Sequence, residues 1–217
     1  MNVSTESLIQ AVAAADSPAR LFNAVQALAA ARTEEGIPTL IAALGYNNPG
    51  AAVAAVEGLV QMGDVAVRPL LDLLDGYNYS ARAWAVRALA GIGHPDALET
   101  LLEAAKNDFA LSVRRAATRG LGNIRWHLAA PETLPVAYAQ VLEALLQIIQ
   151  DPEWVVRYAA IAALQNFATV IQQTNGDGVR AIAQQLQQVA ENDSELVVQT
   201  RARFAQQVLS EKTPQAI

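Results

Sequence analysis

Cysteine is absent from the 217 residues, and two histidines, two methionines and 6% aromatic residues leave few chemically reactive side chains. Without a thiol the chain forms no disulfide, no zinc thiolate site and no thioether of its own. Pro95 follows His94 and Leu128 follows His127, so neither histidine opens a His-Glu pair or a His-x-x-x-His pair, and no metal site is expected. A glycine-rich phosphate loop and a nucleophile elbow are also missing. The first residues show no basic region followed by an apolar core. No apolar run approaches the roughly 18 residues of a membrane span. These absences lead to the expectation of a soluble, cytoplasmic chain without a membrane partner. A net charge of −6 argues against nucleic acid as the main partner. Alternation of the kind that marks strands is lacking.

What is present is alanine and a period. The chain is 53% apolar, largely through alanine. Ala27-Leu28, Gly58-Leu59, Ala88-Leu89, Gly120-Leu121 and Ala163-Leu164 recur at the ends of Ala-rich segments, with steps of 31, 30, 32 and 43 residues between successive leucines. A period of about 30 to 45 residues marks stacked helix pairs, because one pair cannot bury its apolar face alone. Leu- and Ile-rich first helices are expected at 38–44, 67–74 and 97–102. The second helices close on Gly63, Gly93 and Gly122, each expected to supply a left-handed cap. Asp108 and Asp151 stand six residues before Arg114 and Arg157. This frame resembles the HEAT repeat, and the resemblance covers most of residues 16 to 209. It implies an all-α, HEAT-like α-solenoid of about six helix pairs, a single domain over 1–217. The period breaks at an insertion near 123–140, and residues 211–217 are expected to fray. Ser4 or Thr5 and Asp16-Ser17-Pro18 read as helix starts.

Arg82, Arg114 and Arg157 lie seven residues before the repeated leucine, nearly on its side of the helix. With Asp108 and Asp151 they read as a structural ladder between repeats. Positions five and two before the leucine point away from it, at 100° per residue, toward the groove that second helices line. The first column reads Asn23, Ala54, Trp84, Ala116, Ala159, and the second Gln26, Glu57, Arg87, Arg119, Ala162. Trp84 is therefore expected to stand in the groove among alanines, with Arg87 one turn along and Arg119 beside it. Six of the thirteen arginines (82, 87, 114, 115, 119, 125) fall in this central segment. Guanidinium forks bind carboxylates and stack on conjugated rings, so Trp84, Arg87 and Arg119, with Tyr77 and Tyr79 nearby, suit a planar conjugated molecule carrying carboxylates. Each has a plainer alternative: Trp84 packed under a loop, Tyr77 and Tyr79 packing the turn. His94 reads as a turn residue, and Trp126 with His127 as a C-terminal cap. The nearly bare stretch 51–56 offers a face for close approach by another helix, of this chain or of a partner.

Residues 77–95, Tyr-Asn-Tyr-Ser-Ala-Arg-Ala-Trp-Ala-Val-Arg-Ala-Leu-Ala-Gly-Ile-Gly-His-Pro, resemble the signature segment of the smaller subunits of heterodimeric phycocyanobilin lyases serving the phycocyanin alpha subunit. The resemblance implies a cyanobacterial maturation enzyme. With a larger HEAT-like subunit it would attach phycocyanobilin, a substrate and not a permanently bound cofactor, by a thioether to a cysteine of the phycocyanin alpha subunit. Arg87 and Arg119 would then hold the propionates and Trp84 would stack on a pyrrole ring. Tyr77, Tyr79 and Asp75 would offer hydrogen bonds to pyrrole nitrogens. The catalytic acid is assigned to no residue. Two rivals predict different outcomes: a non-catalytic HEAT adaptor that grips phycobiliproteins, and a scaffold unconnected with pigment.

Overall fold

The computed structural model describes residues 4–74 and 78–212, and every described element is helical. Asp75 and Tyr77, two of the expected pigment contacts, lie outside the described residues, as do 213–217 of the expected frayed tail. The sequence reads as one domain over 1–217; the structure divides after Ala97 into two compact units.

The first unit holds three helix pairs: α1 (Thr5–Ala13) with α2 (Pro18–Ala31), α3 (Ile37–Ala43) with α4 (Pro49–Met62), and α5 (Val67–Leu73) with α6 (Tyr79–Ile92). Helix starts follow local chemistry. The side chains of Ser4, Ser17, Asn48 and Asn78 accept the backbone N–H three residues on, and Pro18 and Pro49 occupy first-turn positions where no N–H is needed. The second helices α2, α4 and α6 pack side by side. The repeated leucines Leu28, Leu59 and Leu89 are buried. So are Ala51, Ala52, Ala54 and Ala55, and the bare face of α4 is therefore filled from within the unit. A Cβ on Gly58 would sit 2.5 Å from the Cβ of Ala29, and one on Gly91 2.6 Å from a Val60 methyl. Small residues set how closely these helices approach.

The second unit holds α7 (Leu98–Asn107) with α8 (Leu111–Leu121), α9 (Leu134–Ile148) with α10 (Trp154–Ile171), and α11 (Gly176–Asn192) with α12 (Leu196–Lys212). Here α8, α10 and α12 are the neighbouring second helices. Two short 3-10 turns, Trp126–Leu128 and Pro131–Thr133, occupy the insertion before α9. The insertion is anchored from below. Trp126 is buried and meets Tyr138 edge-on at 4.9 Å between ring centroids, with Phe167 5.8 Å from Tyr138 and 6.2 Å from Trp126. Trp126 is thus a core anchor and not a helix cap, a correction to the sequence reading, while His127 is exposed. Burial raises the Tyr138 phenol above its ordinary value.

Two further expectations change. Gly63 and Gly93 do take positive φ, at 72° and 70°. Gly122 has φ −78° instead; its Cβ would lie 2.5 Å from the Cα of Ala163. Gly122 is there because α8 and α10 touch. The second change concerns length. α10 alone is 18 residues of apolar composition, long enough to cross a membrane, and the stretch Pro49–Leu73 passes the same test although it is α4 and α5 broken at Gly63. In the fold, α10 spends its apolar residues on burial: Val156, Ile161, Leu164, Phe167 and Ile171 are all enclosed among α8, α9, α11 and α12.

Candidate functional site

On α6, Trp84 and Arg87 occur three residues apart, which places them on one helix face. The Arg87 guanidinium carbon stands 4.4 Å from the centroid of the Trp84 ring, a cation–π contact. Both side chains are half-buried: the indole is neither sealed in the core nor free in solvent. Asn78 closes the start of the helix by accepting the N–H of Ala81 at 3.1 Å, and exposed Tyr79 begins the first turn. The two columns counted back from the leucine differ in outcome. Gln26 and Glu57 are exposed, whereas Ala54 is covered. In the column five residues back Asn23 is exposed, Trp84 and Ala116 are half-buried, and Ala54 and Ala159 are covered; Trp84 is the one aromatic side chain of that row.

Arg119, in the second unit, is exposed on α8 and forms no ion pair among the described residues, and Arg115 is exposed on the same helix. The other arginines of that row of repeats are structural. Arg114 donates Nε and Nη2 to the two Asp151 oxygens at 2.8 and 3.1 Å, and its Nη1 to the carbonyls of Asp108 and Phe109 at 3.0 and 3.3 Å. Arg157 repeats the pattern one pair later. It forks onto Asp193 at 2.7 and 2.8 Å and onto the carbonyls of Asp151 and Pro152 at 3.0 and 3.1 Å. Each arginine therefore ties its own turn to the carboxylate of the following repeat. Each aspartate in turn caps its own helix: Asp108 accepts from Ala110 N, Asp151 from Glu153 N and Asp193 from Glu195 N.

The fork hydrogen bonds hold Arg114 and Arg157 above the ordinary guanidinium value and Asp193 below the usual carboxylate range. For Arg82 the carbonyls five and six residues back, the ones its counterparts bind, belong to residues outside those described. Arg82 itself is exposed, without an ion pair among the described residues, and six residues before it the frame holds Gly76 in place of Asp. Asp193 is a ladder member that the sequence reading passed over. Gln199, in the frame position of the arginine, keeps only the backbone half of the job, donating to the Asp193 carbonyl at 2.8 Å.

His94 is a turn residue: its Nδ1 accepts the N–H of Asp96 at 3.2 Å. Among the described residues no group of three His, Asp or Glu side chains is placed to hold a metal.

The second unit also carries a groove of about 640 Å³ between α10 and α12, lined by Tyr158, Leu196, Val197, Thr200, Arg201 and Phe204. Arg201 lies between rings, 5.8 Å from Tyr158 and 5.4 Å from Phe204, and donates to Gln165 Oε1 at 2.9 Å. Burial lowers its pKa. Sequence reasoning missed this groove. The signal was available, since Leu111, Trp154 and Leu196 each stand three residues after a ladder aspartate and are 42%, 42% and 70% exposed.

A family model for HEAT repeats matches residues 5–76 and 67–139, and a second HEAT-repeat model matches 141–171. The chain is 53% identical over 209 residues to the phycocyanobilin lyase subunit beta of Pseudanabaena tenuis, covering 96% of this chain and 74% of that one. It is 58% identical over 163 residues to the phycocyanin alpha phycocyanobilin lyase CpcF of Synechocystis sp., covering 75% of this chain and 76% of that one. Among solved structures it resembles a chain of the complex of CpcE and CpcF of phycocyanin lyase from Nostoc sp. That match has a TM-score of 0.72 and 46% identity, over 80% of this chain and 99% of that one. With identity at this level along nearly the whole length, the chain belongs to the HEAT-repeat family of phycocyanobilin lyase beta subunits.

Proposed function

We infer that this chain is one subunit of a two-chain lyase that attaches phycocyanobilin through a thioether to a cysteine of the phycocyanin alpha subunit. The observation that carries this reading is the 58% identity to a phycocyanin alpha phycocyanobilin lyase. The residues fit the chemistry. Phycocyanobilin is an open-chain conjugated tetrapyrrole with two propionates, and a half-buried indole holding a guanidinium at 4.4 Å offers it a ring platform beside a carboxylate clamp. Trp84 and Arg87 are proposed as pigment contacts on α6, with Tyr79, Tyr77 and Asp75 as hydrogen-bonding neighbours. Arg119 is proposed as a carboxylate contact on the face of α8.

The reaction is an addition. The acceptor sulfur forms a bond to the ethylidene carbon of the pigment, the double bond's electron pair moves into the conjugated system, and a proton ends on the pigment. No group leaves, so what the protein supplies is placement: a pigment held at a fixed distance from the thiol reacts as if in one molecule. With no cysteine of its own, the chain offers no thiol to compete with the acceptor for the pigment.

The test is reconstitution. The chain is mixed with a CpcE-type second subunit, phycocyanobilin and apo-alpha subunit, and covalent pigment fluorescence is followed in a denaturing gel. Fluorescence on the alpha subunit that requires both lyase subunits is the expected result. Binding to the alpha subunit without pigment transfer identifies an adaptor, and neither result leaves a scaffold.

A further inference from the structure

We propose that the groove between α10 and α12 is the seat of a helix from the second lyase subunit, one presenting an apolar face with a single carboxylate directed at Arg201. This rests on the reading of the chain as half of a two-chain enzyme. On α12, Val197, Arg201, Phe204 and Val208 are spaced four, three and four residues apart, one continuous stripe of a helix. On α10, Tyr158 lines the groove beside that stripe, and Trp154 stands one turn before it on the same helix. Five large apolar side chains here are open to solvent: Trp154, Tyr158, Leu196, Val197 and Phe204, with Leu196 70% exposed. Contiguous exposed apolar area of this kind marks an interaction surface. Residues recurring at helical spacing along a groove are the mark of helix-in-groove docking.

Arg201 indicates what the occupant carries. The other two arginines that reach between repeats in this unit, Arg114 and Arg157, each fork onto a carboxylate. Arg201 is likewise partly buried, yet its polar contact is the neutral amide of Gln165, and among the described residues no carboxylate pairs with it. Its guanidinium remains charged, with further N–H donors in a fixed fork. A carboxylate from outside completes it, and two flanking rings reduce competition from water.

A permanent protein partner fits better than the pigment or the acceptor protein. A pigment with two propionates would find one guanidinium in this groove. Leu196 and Val197 also project from the surface; they do not enclose a cavity that would bury most of a small ligand. An acceptor that must leave after each turnover is usually met by a more polar surface, whereas lasting interfaces are the apolar ones.

The test places a photo-crosslinking residue in the active pair, as Phe204→p-benzoylphenylalanine. An adduct on the second subunit, in a helical peptide with an acidic residue among apolar ones, is the expected result. An adduct on the phycocyanin alpha subunit or on the pigment, or none in a pair that still ligates, overturns the proposal. In parallel, Arg201→Ala is expected to weaken the complex of the two subunits by about tenfold or more, as buried arginine anchors do, with Arg201→Lys recovering part of the loss. An unchanged dissociation constant for Arg201→Ala also overturns it. Assembly is measured by sedimentation without pigment, so it is independent of ligation. A pair that assembles through this groove but never ligates removes the enzymatic reading alone. A pair that ligates with the groove unused removes this proposal alone.

Discussion

The contact between Trp84 and Arg87 spans one helical turn, and its consequence is pre-organisation. A guanidinium resting 4.4 Å from an indole has surrendered much of its rotamer freedom before any ligand arrives. Removing the ring takes away the contact that orients the cation, and removing the cation leaves a platform without its clamp. Either Trp84→Ala or Arg87→Ala is expected to slow ligation about tenfold, the equivalent of roughly 1.4 kcal/mol, with a melting temperature close to the parent's because both groups are half-buried. A variant that ligates as fast as the parent removes the site assignment. Gly122 offers a second test at this scale. Its missing Cβ makes room for the Ala163 backbone, so Gly122→Ala is expected to lose about 1–3 kcal/mol through overpacking. Pairing it with Ala163→Gly should return part of that stability. A double variant no better than the sum of the two single ones would show that the contact is not what matters.

Among elements, the arginine-aspartate forks join successive pairs of the second unit, and they carry a pH dependence. The hydrogen bonds from Arg157 hold the Asp193 carboxylate below its ordinary range. Its contribution is therefore complete above the unfolded value of about 4 and is lost as pH falls below that toward the folded value. Asp193→Asn is expected to lower stability near neutral pH by about 3 kcal/mol, since the Arg157 side chain is only 12% exposed and is left without its counter-charge. The same variant should show a flatter loss of stability below about pH 4, measured by urea unfolding across that range. The frame of this ladder was legible in the sequence because it repeats: an aspartate, an arginine at the sixth position after it, then a leucine that must be buried. Where the repeat is imperfect, the sequence misled. Arg82 keeps the arginine position without the aspartate and sits in solvent, and Gln199 hides a ladder position behind a neutral side chain. Gly122 looks like a cap in sequence and is a contact in space. The groove of α10 and α12 was legible only in part: the apolar residue three positions after each ladder aspartate was in view, but the lining joins helices some 40 residues apart, and neither segment alone shows which faces meet.

Over the whole molecule, charge is sorted by element. Nine of the thirteen arginines lie on the second helices of their pairs (20, 82, 87, 114, 115, 119, 157, 201, 203), and those helices carry two acidic residues, Glu57 and Glu211. A chain of net charge −6 has thus gathered its cations onto the helices proposed to meet a dicarboxylate pigment and an acidic partner helix, leaving its acids to the first helices and turns. Reactivity is sorted as sharply. The thioether needs a thiolate, and none of the 217 residues supplies one, so every sulfur in the reaction belongs to another protein. Treatment of this chain with iodoacetamide, followed by removal of the reagent, is therefore expected to leave ligation at the parent rate, whereas the same treatment of the apo-alpha subunit abolishes it. The denaturing gel should show pigment fluorescence on the alpha subunit and none at the position of this chain at any time in the reaction. A pigment band that forms on this chain early and decays as the alpha subunit fills would mean covalent relay through another nucleophile, and placement alone would no longer account for the chemistry.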